Sequence, residues 1–521
     1  MAKCIMVQGT SSNAGKSVMV AALCRIYSRR GVKVAPFKSQ NMSLNSYTTK
    51  ENGEIAIAQV LQAEAADIEP SVHMNPILLK PKGNFTSQVI IQGKAIADMN
   101  FYQYQHDFRD TAISAIKESL AILSEEYDLI IIEGAGSPAE INMRKEDMAN
   151  MEIAHMADGD VLLVADIDKG GVFASIAGTF SLLDERDRSR LKAVIINKFS
   201  GNLDILMPGI EKIEKIIDAP VLGVLPYDHD LNLPEEDSAS LNEHKFDSNK
   251  DITIGVVRFP KIANFTDIDP FEFEEDVGLK LIDINDNIAD EEGKTTLDMI
   301  ILPGTRNTIE DMIAIEKSGI ARQIRKIAKN NPNIPIIGLC GGYQILGKKI
   351  FDENNEKLKE GSVDGLGLLE IETHFKHNSS EEKIVQQSEG TILKENNNTI
   401  FSSIKGEIIE GYEIHEGITI LNGEEPLLKI KKGIGNKKET SENQLYDGAK
   451  KGNIFGSYFH GIFHNYNFRR ALLNYIRKNK GLIQKFGEDP YETKKDYSID
   501  RLAQIVEENL DMDFIDNLIK K

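Results

Sequence analysis

The chain has 521 residues and a formal charge of −20, from 61 basic and 81 acidic side chains. At about 150 residues per domain the length allows two to four domains, and a hydrophobic content of 41% fills their cores and excludes wholesale disorder. The acidic excess argues against a nucleic-acid surface, which needs clustered Lys and Arg, but leaves room for a small anion site built from backbone N–H groups.

Cys4, Cys24 and Cys340 are the only cysteines, with no C-x-x-C pair, so neither a cysteine zinc site nor a disulfide framework is expected. That usage fits a reducing compartment. The opening MAKCIMVQGT shows no signal-peptide pattern, and no apolar run approaches the length of a membrane span. The expectation is a cytoplasmic protein with no membrane partner.

Short, continuous apolar runs at 4–7, 129–132, 161–165, 193–196 and 220–225 predict strands buried on both faces of a parallel sheet. Helical stretches lie between them, as at 17–29 and 102–125. This strand–helix alternation predicts an α/β domain whose ligands sit at the carboxyl ends of the strands. From 228 to 250 the sequence turns polar and acidic, as a linker does. A second α/β series follows, with strands starting at Ile252 and at 299–302, 334–339 and 454–458. The predicted division is 1–245, 246–470 and a helical tail, 471–521, packed on the second domain. The stretches 375–400 and 430–450 read as surface loops or hairpins.

Directly after the first strand comes GTSSNAGKS, from Gly9 to Ser17, with five residues between its glycines. Glycines let such a loop turn its N–H groups inward, and the helix that follows adds partial positive charge. The pattern predicts a phosphate loop in which Lys16 reaches the outer phosphates of a nucleotide and Ser17 holds Mg²⁺. The run PFKSQNMSLNS, 36–46, gathers amides, hydroxyls and Lys38 at the end of the second strand. An anion cradle and a hydrogen-bonded turn explain it equally well. In YDLIIIEGAG, 127–136, a buried strand delivers Glu133 beside the phosphate loop, where a carboxylate can bind Mg²⁺.

In the second half, IILPGTRNT, 300–308, ends a strand in a Pro-Gly turn, and the Gly304 N–H is a candidate oxyanion donor. The run IPIIGLCGGYQ, 334–344, carries an apolar strand into a turn of small residues and then a helical pattern. That layout exposes one nucleophile, Cys340, at a helix N-terminus, with the Gly341 N–H as the second oxyanion donor. Near the end, FGSYFHGIFH supplies His460 at a strand terminus as the base, with His464 a weaker candidate.

Together these motifs resemble two fused families. PGTRN, GLCGGYQ and YFHG, in that order, are similar to a class I glutamine amidotransferase domain. The long phosphate loop is similar to that of the dethiobiotin synthetase-like P-loop group. The fusion, with QGTSSNAGKS, PFKSQNMSLNS, NPILLKP, EGAGSPAEIN, ADIDKGGVFAS, INKFSG and GYEIHEG, resembles the cobyric acid synthase family of cobyrinate amidotransferases over roughly residues 3–465.

The resemblance implies amidation of the b, d, e and g carboxylates of adenosylcobyrinic acid a,c-diamide in cobalamin biosynthesis, with glutamine as nitrogen donor and one ATP per amide. Partners would then be glutamine and a corrinoid polycarboxylate, with ATP and Mg²⁺ as cofactors. It implies Cys340 as nucleophile and His460 as base. Gly9, Thr10, Asn13, Gly15, Lys16 and Ser17 would form the nucleotide loop, Lys38 would lie near the transferred phosphate and Asn197 near the adenine, with Ser17 and Glu133 at the metal. Asp166, Asp168 and Lys169 fall at a strand end near the phosphates, with roles left open. Many class I amidotransferases carry a Glu two residues after the His, where Ile462 stands here, so the group that orients His460 is missing from its usual place. Glu413 and His415 are candidates for it. Two other readings remain: an amidotransferase with another carboxylate acceptor, and a P-loop ATPase switch with an inactive glutaminase domain.

Overall fold

The computed structural model describes residues 2–520 apart from 84, 229–230, 232, 234–248, 354, 356–357, 359–360, 376–382, 394–399 and 437–443. The expected boundary at 245 and most of the linker lie outside the described residues. The chain forms two units. The first comprises Met1–Ser43, Gly53–Leu233 and Lys494–Lys521; the second comprises Leu44–Asn52 and Pro234–Thr493.

The first unit is built on strands β1 (Lys3–Gly9), β2 (Val34–Phe37), β3 (Leu129–Glu133), β4 (Asp160–Asp166), β5 (Leu191–Phe199) and β6 (Val221–Pro226). They lie in the order β6-β5-β4-β1-β3-β2, every neighbouring pair parallel. β3 is buried along its whole length, as its unbroken apolar run requires. The register sets Val7 opposite Glu133 and Asp166 opposite Asn197, so these polar residues collect at the carboxyl edge beside the loop that follows β1. Helix α1 (Lys16–Arg29) closes that loop and packs its buried face, including Leu23, Cys24 and Ile26, into the core. A second sheet in this unit joins Gln40–Met42 to the antiparallel strands Ile77–Gly83, Thr86–Ile91 and Lys94–Asn100.

The tail departs from the expected packing. Up to Thr493 it belongs to the second unit, but from Lys494 onward it belongs to the first. Ile499, Leu502, Val506, Leu510 and Ile515 enter the same core as α1. Polar contacts fix the docking: the buried Arg25 pairs with Asp67 at 3.1 Å and also with Asp496, and the Tyr27 hydroxyl donates to Asp516 at 2.8 Å. Helical periodicity reveals that a face is apolar, not which core receives it.

The second unit has its own central sheet: β7 (Ile252–Arg258), β8 (Val277–Asp283), β9 (Met299–Leu302), β10 (Ile336–Leu339), β11 (Ala449–Lys451) and β12 (Ile454–Ser457). Their order is β8-β7-β9-β10-β12-β11, parallel except for the edge strand β11. Antiparallel strands Ile384–Ile392 and Ile408–His415 bring a further sheet to Phe459–His460. Helix Tyr466–Lys480 is held by charge as well as by apolar packing. Arg469 and Arg477 are fully buried; Arg469 pairs with Glu274 at 3.3 Å and Arg477 with Asp276 at 2.8 Å. Burial works against the Asp276 charge, but Arg477 and Lys485 outweigh it and hold the carboxyl well below the usual range.

If the tail is part of the first core, Leu502→Ala, which empties a buried position, should destabilise the protein by about 2–4 kcal/mol. A thermal melt reports this as a lower transition; an unchanged melt would show that the position is not packed.

Candidate active sites

In the first unit, the loop after β1 contains two left-handed residues, Asn13 at φ 59° and Gly15 at φ 102°. At Gly15 a side chain is excluded twice over: the backbone favours glycine, and a Cβ would stand 2.1 Å from Asn197 Nδ2. Asn197 instead donates to the Ala14 carbonyl at 3.0 Å, so the residue expected near the adenine braces the loop. The Thr10 N–H donates to the Val164 carbonyl, fixing the start of the loop on β4. The Lys16 ammonium lies back over the loop, donating to the carbonyls of Ser11 at 3.0 Å and Gly136 at 3.2 Å. A Cβ on Gly9 would stand 3.1 Å from that ammonium.

Glu133 is the electrostatic centre of this site and is 1% exposed. Its Oε1 accepts from the Ser17 hydroxyl at 2.7 Å and from the Lys38 ammonium at 2.8 Å. Its Oε2 accepts from the amides of Gln62 at 2.6 Å and Gln59 at 3.4 Å. Ser17, Lys38 and Glu133, three expected site residues, are therefore brought together directly. Gln59 and Gln62 escaped the sequence reading; their signal is two amides at i and i+3 on one face of a largely apolar helix, Ile57–Ala65. The donor set, a serine hydroxyl beside a carboxylate, suits the hard-oxygen preference of Mg²⁺. Asp166 accepts from Lys198 at 3.1 Å and from the Asp168 N–H at 2.8 Å, while Lys198 also reaches the Asn13 carbonyl at 2.8 Å. The run from Lys38 to Ser46, read as one cluster, divides: Lys38 and Asn41 stay with the first unit, while Asn45 and Ser46 belong to the second.

In the second unit β10 ends at Leu339 and Cys340 takes φ 50°, ψ −109°, a strained conformation that costs on the order of 1–3 kcal/mol. Its N–H is held by the Ser457 carbonyl at 2.9 Å, which locks the turn against β12. The turn is too tight for a side chain at Gly342, where a Cβ would lie 2.0 Å from the Leu302 carbonyl oxygen. The Cys340 thiol lies 3.5 Å from the Ile414 carbonyl and near enough to His460 to favour its charged form. Gly304 sits against His460, a Cβ there standing 3.2 Å from the imidazole Cε1, and Gly341 sits against Thr305. Both glycines expected as oxyanion donors thus lie beside Cys340 and His460. The Thr305 hydroxyl donates to Asp311, which also accepts from the Lys261 N–H at 3.2 Å and so ties down the Gly304 loop.

The residue that orients His460 is Asp267. Its Oδ2 lies 2.7 Å from His460 Nδ1, and its Oδ1 accepts the Gly461 N–H at 2.6 Å. The sequence offered Glu413 and His415 instead, and the geometry commits those elsewhere. Glu413 accepts from Ser388 at 2.8 Å and from the Gly435 N–H at 3.0 Å, and faces His415 at 3.4 Å. His415 stacks on Tyr458 with ring centroids 3.7 Å apart. His464 also turns away from the thiol, toward the Thr266 carbonyl at 3.3 Å. The segment Leu44–Asn52 reaches this site too: Tyr47 packs edge-on against Tyr412 at 4.8 Å, and Tyr412 stacks on His460 at 5.3 Å.

Burial by itself pushes the His460 imidazole down, but the Asp267 carboxylate and the Cys340 sulfur outweigh it and raise it to about 10. A group raised in this way stabilises the fold fully below its ordinary value of 6.5. Above that value the contribution declines as pH rises, and it is gone once pH has passed through about 10. Asp267→Asn should therefore lower glutamine-hydrolysing kcat/KM by roughly 10²–10⁴-fold and move the alkaline limb of its pH profile to lower pH. A pH profile with the alkaline limb unmoved would contradict the pairing.

A family profile described as the CobQ/CobB/MinD/ParA nucleotide binding domain matches residues 5–241, and one described as the CobB/CobQ-like glutamine amidotransferase domain matches 253–468. Curated relatives match end to end. A probable cobyric acid synthase of Methanothermobacter thermautotrophicus is 61% identical, covering 100% of this chain and 99% of its own. That of Methanosphaera stadtmanae is 57% identical over 99% of this chain and 100% of its own, and that of Methanocaldococcus jannaschii 46% identical over 98% and 99%. Among the described residues no helix is long and apolar enough to cross a membrane. With a phosphate loop in one unit, a cysteine–histidine–aspartate site in the other, and relatives of this identity along the whole chain, the protein belongs to the cobyric acid synthase family.

Proposed function

We propose that the protein hydrolyses glutamine in its second unit and uses the ammonia, with ATP in its first unit, to amidate the b, d, e and g carboxylates of adenosylcobyrinic acid a,c-diamide. The observation that carries this reading is the intact pairing of Cys340, His460 and Asp267 in a chain that also presents an ordered phosphate loop.

The Cys340 thiolate attacks the side-chain amide carbon of glutamine, and the Gly304 and Gly341 N–H groups donate to the oxyanion that forms. His460 gives its proton to the departing ammonia, leaving a thioester. It then takes a proton from water, whose oxygen attacks the thioester carbon; collapse releases glutamate and returns the thiol. Asp267 holds the imidazole with Nε2 toward sulfur and stabilises its charged form throughout.

A carboxylate is a poor electrophile because an oxide would have to leave. Transfer of the γ-phosphoryl group from ATP to a corrin carboxylate oxygen gives an acyl phosphate and ADP. Attack by ammonia on the acyl carbon then expels phosphate and leaves the amide. Lys16 and Lys38 offset the charge that builds on the phosphoryl oxygens. Ser17 and Glu133 would hold Mg²⁺, which when bound supplies further charge neutralisation at the phosphates. Asn13 and Gly15 shape the loop, and Thr10 and Gly9 lead the chain into it.

Cys340→Ala should abolish glutamine-dependent amidation while amidation with free ammonia continues, followed by mass spectrometry of the corrinoid. Loss of both in a folded protein would contradict the division of labour. Lys16→Ala should remove amidation with either nitrogen source; amidation that persists would rule out the assigned ATP role.

A further inference from the structure

Arg306 lies two residues past Gly304, and its backbone is fixed by an N–H donated to the Lys261 carbonyl at 2.8 Å. Its side chain is only 14% exposed. Nε and Nη2 are buried, and neither has a hydrogen-bond partner among the described residues. The facing charge is Glu416, whose Oε1 is 3.9 Å from Nη1, beyond hydrogen-bond reach. A guanidinium cannot shed its charge, so idle buried donors are a standing cost until an acceptor meets them. A carboxylate, planar and two-toothed, is the acceptor that its fork fits best.

The position of this pair says which carboxylate. The Thr305 nitrogen, next to Arg306, stands 3.1 Å from where a Cβ on Gly341 would be. On the other side, Glu416 lies two residues past Ile414, whose carbonyl is 3.5 Å from the Cys340 thiol, and the Glu416 carbonyl is held at 3.0 Å by Gln344 of the helix Gly341–Leu346. Gln344 is fixed in turn by the Thr308 hydroxyl at 2.7 Å. Arg306 and Glu416 therefore rise from loops on both sides of the cysteine turn. An extended glutamine side chain places the α-carboxylate about 5 Å from the amide carbon, a short reach from the nucleophile.

Resting on the glutaminase reading above, we propose that Arg306 and Glu416 recognise the zwitterionic head of free L-glutamine, Arg306 taking the α-carboxylate and Glu416 the α-ammonium. The pair selects free glutamine over glutaminyl groups in peptides, whose head atoms are neutral amides.

The test compares L-glutamine with 4-aminobutanamide, which lacks the carboxylate, and with glutaramate, which lacks the ammonium, as substrates of the full-length protein. The unaltered enzyme should favour glutamine over each by at least about tenfold in kcat/KM. Arg306→Met should erase the preference over 4-aminobutanamide and keep that over glutaramate; Glu416→Gln should do the reverse. Equal losses on all three substrates, or preferences unchanged, would overturn the assignment. Arg306→Lys keeps the charge but not the fork, and should raise KM for glutamine about tenfold with little change in kcat; a change in kcat alone would also overturn it. Absence of any glutamine hydrolysis by the unaltered protein is a different result, and would sink the glutaminase reading itself.

Discussion

A carboxylate with almost no exposure to water, Asp267, faces an equally buried imidazole, His460, across 2.7 Å. Two such groups are costly to desolvate, and removing one partner leaves the other stranded at a cost of about 3–5 kcal/mol. The second unit is arranged to keep them together. Asp267 spends its second oxygen on the Gly461 N–H, which aims the histidine as well as charging it. The Ser457 carbonyl holds the cysteine turn, and the glycines around it let the backbone of Leu302 approach where a side chain would collide. The strain at Cys340 is affordable because β9, β10 and β12 fix the turn from three sides.

The first unit solves the converse problem. There the buried carboxylate, Glu133, is surrounded by donors: a lysine, a serine and two glutamine amides. Its oxygens are satisfied within the unit itself, so a carboxylate can stay buried at the carboxyl edge of the sheet. The net charge of −20 is thus compatible with anionic substrates, because local donors rather than the global balance face them.

What was legible in the sequence is what is encoded within a single short stretch. The phosphate loop, Glu133 at its strand end, the glycine-flanked Cys340 and the strand-end His460 each carry their own flanking pattern, and each sits at the end of a strand in the fold. Asp267 was not legible. It reaches His460 from 193 residues away, on a short turn, Phe265–Ile268, with no motif around it. Its one trace is an acidic residue set among buried apolar neighbours. Gln59 and Gln62 were hidden in the same way, since their role exists only once α1 and the helix Ile57–Ala65 meet over β3. The tail shows the limit of periodicity: the apolar face was plain, its destination was not. The run Lys38 to Ser46 shows the limit of adjacency, since neighbours in sequence part at Ser43.

The central claim is that glutamine hydrolysis and ATP-driven carboxylate activation serve one product. It is tested most directly by incubating the protein with adenosylcobyrinic acid a,c-diamide, ATP, Mg²⁺ and glutamine, and following the corrinoid by mass spectrometry. The account predicts stepwise conversion of the b, d, e and g carboxylates to amides, dependent on both ATP and a nitrogen source. A corrinoid of unchanged mass, while the same protein hydrolyses glutamine and ATP, would contradict it.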